Sequence, residues 1–220
     1  MKQIHQYLKD GRLEIGEVPL PQARANEVLV RTHYSFVSVG TEKMKVSQAR
    51  MSLAEKARER PDQVRQVLDT LKEQGVMPTV RKVQERLKAP NTLGYSCAGT
   101  VVELGSRVDE LRVGDRVACI GEGLATHAEF NAVPRNLVVP VPPGVPLESA
   151  SAAAVGAIAL QGMRQAQLEL GETVAVIGLG LLGQFLVQLA RAGGCRVIGV
   201  DLDGSKCALA QVSCSDFMSG

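Results

Sequence analysis

A chain of 220 residues that is 45% hydrophobic carries enough apolar material for a sizeable buried core, which excludes disorder as its resting state. Its 25 Lys and Arg stand against 23 Asp and Glu, a net charge of +2, so the chain as a whole is not built to seek nucleic acid or an anionic membrane. Five cysteines without a Cys-x-x-Cys pair exclude a disulfide framework and a zinc ribbon and fit a reducing cytoplasm.

The N-terminal stretch "MKQIHQYLKDGR" has charges and turn residues where an export signal would carry its apolar run, and it places His5 near a frayed end. From Gly11 to Val39 the pattern predicts strands, "RLEIGEV" and then "EVLVRTHYSFVSV", with His33 in mid-strand. Lys43 to Ala89 has no aromatic residue and no strand alternation and predicts helices. Val64, Val67, Leu68 and Leu71 form one apolar stripe behind Pro61, and Val80, Val83 and Leu87 a second between Pro78 and Pro90. This stretch holds twelve basic and six acidic residues, net +6, and leaves the rest of the chain at −4; without interleaved aromatics it reads as a solvated helix pair. Strand texture returns at Asn91, in "AGTVVELGSRVDELRVGDRVACI" and on through "HAEFNAVPRNLVVPVPPGV". An alanine-rich helical passage, "ESASAAAVGAIALQGMRQAQLELG", follows a boundary near Pro146 to Ser151. Two parts are expected, 1–150 with a helical insertion at about 43–90, and 151–220.

In the second part "ETVAVIGLGLLGQFLVQLARAGGCRVIGVDLD" reads as strand, glycine turn, helix, strand. The stretch Thr173 to Ala190 approaches the length of a membrane span, but Gln184, Gln188 and the glycine turn argue for a buried helix instead. Gly178 serves the tight turn, Gly180 lets a pyrophosphate approach the backbone, and Gly183 permits close packing of helix on strand. Leu179, Leu181 and Leu182 contribute the intervening N–H groups of this cradle. Asp201, 18 residues beyond Gly183, is placed for the adenosine ribose hydroxyls, and its charge favours NAD over NADP.

"LGYSCAGTVVELGSRVDELRVGDRVA" (Leu93 to Ala118) resembles the medium-chain dehydrogenase/reductase superfamily, as do "VGTE" at Val39 to Glu42, "ATHAEF" and the glycine loop after them. The resemblance implies an α/β chain with an all-β part: a GroES-like β-barrel domain carrying a helical insertion, then the first half of a Rossmann dinucleotide-binding fold. It implies an NAD-dependent oxidoreductase that exchanges a hydride with an alcohol or carbonyl substrate. Where zinc-using members place a cysteine and a Gly-His-Glu segment, this chain has Val39, Tyr95 and Ser96, so the resemblance implies a zinc-independent member. The four-cysteine structural zinc lobe is missing as well, and Cys97 and Cys119 read as small apolar core residues. The insertion is similar to that of bacterial bi-domain oxidoreductases, in which such a half is fused to a glucose-fructose-oxidoreductase-like half, and this implies a sugar-derived substrate.

Without zinc, side chains must handle the substrate oxygen. Thr41 occupies the position of a hydroxyl relay, and Tyr95 stands where the histidine ligand would have been; these are the two expected catalytic residues. Among the histidines, only His127, just before "AEF", merits testing as an acid or base. After Asp201 the sequence offers one short helix and the start of a strand, half of a dinucleotide fold. The expectation is therefore an N-terminal portion of a longer protein, or a truncated product, whose strand Thr173 to Ile177 is left as an apolar edge and whose 220 residues alone do not turn over. The competing reading is a non-catalytic nucleotide-binding or protein-interaction module. Expected partners are a small-molecule substrate and either a second copy or a further C-terminal domain, with neither nucleic acid nor membrane.

Overall fold

A computed structural model describes residues 1–7, 11–50, 55, 58, 75, 77 and 90–212. The apolar stripes expected around Val64–Leu71 and Val80–Leu87 lie outside the described residues. The chain divides into two compact units, Met1–Ser151 and Ala152–Gly220.

The first unit is built on strand β3 (Glu27–Ser35), the centre from which an antiparallel sheet grows. Its neighbours are β5 (Ser96–Leu104) and β7 (Phe130–Pro134); β6 (Arg116–Ile120) and β8 (Val138–Pro140) extend the sheet in the order β7-β3-β5-β6-β8. Val28, Leu29 and Val30 are all buried, a continuous apolar run that suits a strand flanked on both edges, and the register shifts between Leu29 and Val30. Val28, Val30, Cys97, Val101, Val117, Cys119 and Val133 close the core with no exposed surface. Each fully buried valine contributes about 1.5–3 kcal/mol relative to an exposed one. Among the described residues this core is built from small and branched side chains, which suit close spacing.

A second sheet pairs β1 (Lys2–Tyr7) with β2 (Leu13–Glu17) and with β4 (Pro90–Thr92), all antiparallel. It is tied to the five-stranded sheet by the bridge between Gln3 and Ala128 and by Ile4 N donating to His127 O at 2.9 Å. His5, expected at a frayed end, is buried inside β1, with its Nε2 3.0 Å from Gln3 Oε1. Side chains continue the tie: Gln3 Nε2 donates to Thr126 Oγ1, Thr126 Oγ1 to Asn131 Oδ1, and Asn131 Nδ2 to Thr32 Oγ1. Helix α1 (Val39–Arg50) starts four residues ahead of the helical stretch predicted from Lys43, with Glu42 N donating to Ser38 O at 2.9 Å. The short helix α2 (Leu147–Ala150) packs on β3, β5 and β6.

The second unit opens with α3 (Ala153–Ala166), which ends at Gln167 in the left-handed conformation with φ of 51°. Strand β9 (Thr173–Ile177), helix α4 (Leu181–Ala192), strand β10 (Arg196–Val200) and helix α5 (Gly204–Val212) follow. The two strands pair in parallel, Thr173 opposite Arg196 through Ile177 opposite Val200. A parallel pair needs a crossover, which α4 supplies. Val176, Leu179, Val187 and Ala210 form the core between strands and helices. Ile177 is 85% exposed, and Ile198 and Val200 are also exposed. No helix among the described residues is long and apolar enough to cross a membrane.

Candidate functional site

The glycine loop lies between β9 and α4. Gly178 turns the chain with φ of +91°, and its N–H donates to Val200 O at 2.7 Å, holding the loop against the end of β10. A Cβ on Gly183 would overlap the carbonyl oxygen of Gly178, so the first turn of α4 sits on the loop at a distance that only glycine permits. Gly180 is the N-cap of α4 and no side chain caps it, which leaves first-turn N–H groups to an external acceptor at the positive end of the helix dipole. Leu181 and Leu182 are partly exposed on this first turn, whereas Leu179 is buried in the core.

Asp201 follows the last residue of β10. Its Oδ2 accepts from Leu179 N at 2.7 Å and its Oδ1 from Asp203 N at 2.9 Å, with Lys206 Nζ 3.6 Å from Oδ1. The Asp203 N–H, then the Leu179 N–H, hold the Asp201 carboxyl below its ordinary value. Sequence reasoning assigned this carboxylate to the ribose and missed its work on the loop: it ties Leu179, inside the glycine turn, to the start of α5. Each oxygen retains a lone pair for a further donor. Gly178, Val200, Asp201, Leu202, Asp203 and Lys206 line an open depression of about 510 Å³ beside it. Asp203 Oδ1 accepts from Ser205 N at 3.0 Å, and this capping contact holds its carboxyl low as well, Ser205 supplying both the hydroxyl and the N–H. The loop, an open helix N-terminus and a carboxylate beyond the second strand fit the pyrophosphate and ribose of a dinucleotide.

In the first unit the residues expected at a zinc position are placed as follows. Val39 is exposed as the first residue of α1. Tyr95 is half-buried just before β5, and Ser96 is buried with its hydroxyl donating to Ser151 O at 2.5 Å. Valine offers no ligand atom and the Ser96 hydroxyl is engaged, so this donor set does not suit a borderline-soft ion. Among the described residues, no group of three or more His, Cys, Asp or Glu is placed to hold a metal ion. Thr41, in the first turn of α1, accepts at Oγ1 from Ser38 Oγ at 3.2 Å.

Sequence reasoning did not find the polar cluster beside Thr41. His127 Nε2 lies 2.9 Å from Glu42 Oε1, and His127 Nδ1 lies 2.8 Å from Ser35 Oγ. The two ionisable side chains are only 6% and 14% exposed. Gly94, immediately before Tyr95, lies flat against the ring: a Cβ there would come within 2.8 Å of His127 N and 3.1 Å of the ring. The cluster thus joins the end of β3, the first turn of α1 and the segment before β7.

Residues 66–143 match the family model of the alcohol dehydrogenase GroES-like domain. The chain is 36% identical over 126 residues to D-guloside 3-dehydrogenase of Escherichia coli, a match spanning 57% of this chain and 36% of that protein. Its similarity is thus to dehydrogenases and, over residues 66–143, to their GroES-like domain. An alcohol dehydrogenase superfamily protein from Novosphingobium aromaticivorans superposes with a TM-score of 0.69 at 26% identity, covering 96% of this chain and 56% of that one. The Escherichia coli quinone oxidoreductase complexed with NADPH gives a TM-score of 0.70 at 17% identity, covering 97% and 56%. The chain spans little more than a third of the guloside enzyme's length and somewhat over half of each of the two solved chains. These relatives are dehydrogenases and a quinone oxidoreductase by name, and the fold shared with the solved chains is a GroES-like sheet domain and a Rossmann-type strand–loop–helix–strand.

Proposed function

We infer that the protein is an NAD(H)-dependent, zinc-independent oxidoreductase that oxidises a hydroxyl, or reduces the corresponding carbonyl, on a sugar-derived substrate. The loop geometry supports this reading: Gly183 pressed against Gly178, an uncapped helix start and the Asp201 carboxylate together fit the pyrophosphate and ribose of a dinucleotide. When bound, that cofactor supplies the hydride acceptor. The residues proposed to hold it are Gly178 to Gly183, through backbone N–H groups, and Asp201, through the remaining lone pairs of its carboxylate. The acidic pair Asp201 and Asp203 outweighs the single Lys206 ammonium beside them and disfavours an additional phosphate, so NAD is preferred to NADP. Zinc independence is supported by the donor set at Val39, Tyr95 and Ser96. In place of a metal, Thr41 and Tyr95 are proposed to bind the substrate oxygen. A sugar-derived substrate is supported by the guloside-oxidising relative.

The experiment is calorimetric titration of the protein, at its full natural length, with NAD+ and NADP+, followed by absorbance at 340 nm with methyl β-D-guloside and with simple alditols. Tighter binding of NAD+ and NADH formation from a polyol support the reading. Binding of neither nucleotide would instead favour an interaction module. Metal analysis after dialysis is expected to give well under one equivalent of zinc, and one tightly held equivalent would refute the zinc-independent assignment.

A further inference from the structure

Two hydrogen bonds connect a carboxylate, an imidazole and a hydroxyl: Glu42 Oε1 lies 2.9 Å from His127 Nε2, and His127 Nδ1 lies 2.8 Å from Ser35 Oγ. A carboxylate is an acceptor, so the bond to Glu42 puts a hydrogen on Nε2 and leaves Nδ1 of the neutral ring as an acceptor. Ser35 must then donate its hydroxyl hydrogen to Nδ1, turning the lone pairs of its oxygen outward. Glu42 and His127 are almost closed to solvent, whereas Ser35, the last residue of β3, is half-buried and reaches it. The ring cannot turn away. Gly94 lies against its face, and its own backbone is fixed by His127 N donating to Leu93 O and by His127 O accepting from Ile4 N, each at 2.9 Å. Facing the ring are thus Glu42 from α1, Ser35 from β3, the backbone of Gly94 before β5 and that of Ile4 in β1; Glu42 is the charged side chain paired with it among the described residues.

We propose that Ser35, His127 and Glu42 form the route by which a substrate hydroxyl loses its proton, with Ser35 the catalytic residue that touches the substrate and His127 and Glu42 positioning residues behind it. The inference rests on the oxidoreductase reading and deepens it. A nicotinamide cofactor, when bound, would supply the hydride acceptor for the carbon of a secondary alcohol, and the oxygen's proton would pass to Ser35 Oγ. Ser35's own proton passes to His127 Nδ1, and the resulting imidazolium is stabilised by the Glu42 carboxylate. Two electrons and one hydrogen nucleus leave as the hydride, one proton stays on the ring, and the product is a carbonyl. Carbonyl reduction runs the same transfers backwards. A metal would serve this step by lowering the hydroxyl's pKa; here a buried, oriented base serves it.

The first test needs no turnover. In protein labelled with 15N at histidine, long-range 1H–15N correlation spectra report which ring nitrogen of His127 carries the proton. Protonation of Nε2 alone in the unliganded protein is expected, with mixed or reversed tautomers in Glu42→Gln. A proton on Nδ1, in a neutral or charged ring, overturns the proposal, because Nδ1 could not then accept from Ser35. The second test uses NAD+ and methyl β-D-guloside with the full-length protein. Ser35→Ala is expected to lower kcat by about 10²–10³-fold with KM changed less than about threefold, Glu42→Gln by about tenfold, and Ser35→Thr to recover most of the loss. An unchanged kcat in Ser35→Ala overturns the proposal. Absence of NADH formation by the wild type counts against the oxidoreductase reading, while the nitrogen assignment still decides the relay.

Discussion

Single atoms decide two outcomes at the glycine loop. Because a Cβ on Gly183 would overlap the carbonyl of Gly178, Gly183→Ala must push α4 away from the loop. A loss of about 1–3 kcal/mol in urea-unfolding free energy and a fall in NAD+ affinity are expected. An unchanged calorimetric Kd would mean that the contact does not shape the site. Asp201 supplies the second outcome. Its carboxyl is held below the ordinary value by the Asp203 and Leu179 N–H groups, so its contribution is fully present above the unfolded-state value of about 4 and is lost as pH falls through the folded one. The Leu179 amide resonance should therefore move in acid in the wild type, and that movement should vanish in Asp201→Asn. The strand, glycine turn and helix were legible because a local loop needs its glycines at fixed spacing. The Ser35, His127 and Glu42 cluster was not, because its partners are 92 and 85 residues apart and nothing in the local pattern of "ATHAEF" names either one.

Elements differ in how much of their placement is local. Strands β3 and β6 announce themselves by short apolar runs, Val28 to Val30 and Val117 to Ile120, since consecutive buried residues leave no polar side to alternate with. Val30 shows the cost of disturbing such a run: it is fully buried between β5 and β7, so Val30→Ala should destabilise the first unit by about 2–3 kcal/mol, read as a lower urea midpoint at unchanged slope. β1 is harder to read. Its six residues mix charge, amide and imidazole, and its partners β2 and β4 lie on opposite sides of it, with β4 more than eighty residues away in sequence. The first turn of α1 lies ahead of the helical stretch the sequence predicts, and its Gly40 and Thr41 are weak helix formers. Ser38 offsets them by accepting Glu42 N through its carbonyl, and Glu42 adds a negative charge at the helix start.

At the scale of the whole molecule, each of the two units has its own core, valine-built in the first and gathered around Leu179 and Val187 in the second. In the second, Ile177, Ile198 and Val200 leave apolar surface on the paired strands. The 220-residue chain should accordingly enhance the fluorescence of an apolar dye such as ANS, and Ile177→Asn with Ile198→Asn should remove most of that enhancement without lowering helix content by circular dichroism.

Cys97 and Cys119 face each other across β5 and β6 with no exposed surface, while in the second unit Cys195 is buried and Cys207 half-buried. A thiol sealed in a core meets an alkylating reagent only when its surroundings open, so its labelling rate counts openings. In a Cys214→Ser background, limited iodoacetamide treatment followed by peptide mass spectrometry should tag Cys207 first and Cys97 and Cys119 together and last. Rising urea should accelerate that pair in step, since one cooperative event uncovers both. The four sulfur atoms thereby act as a set of clocks native to the chain, two timing the first unit and two the second, and no reporter group has to be introduced.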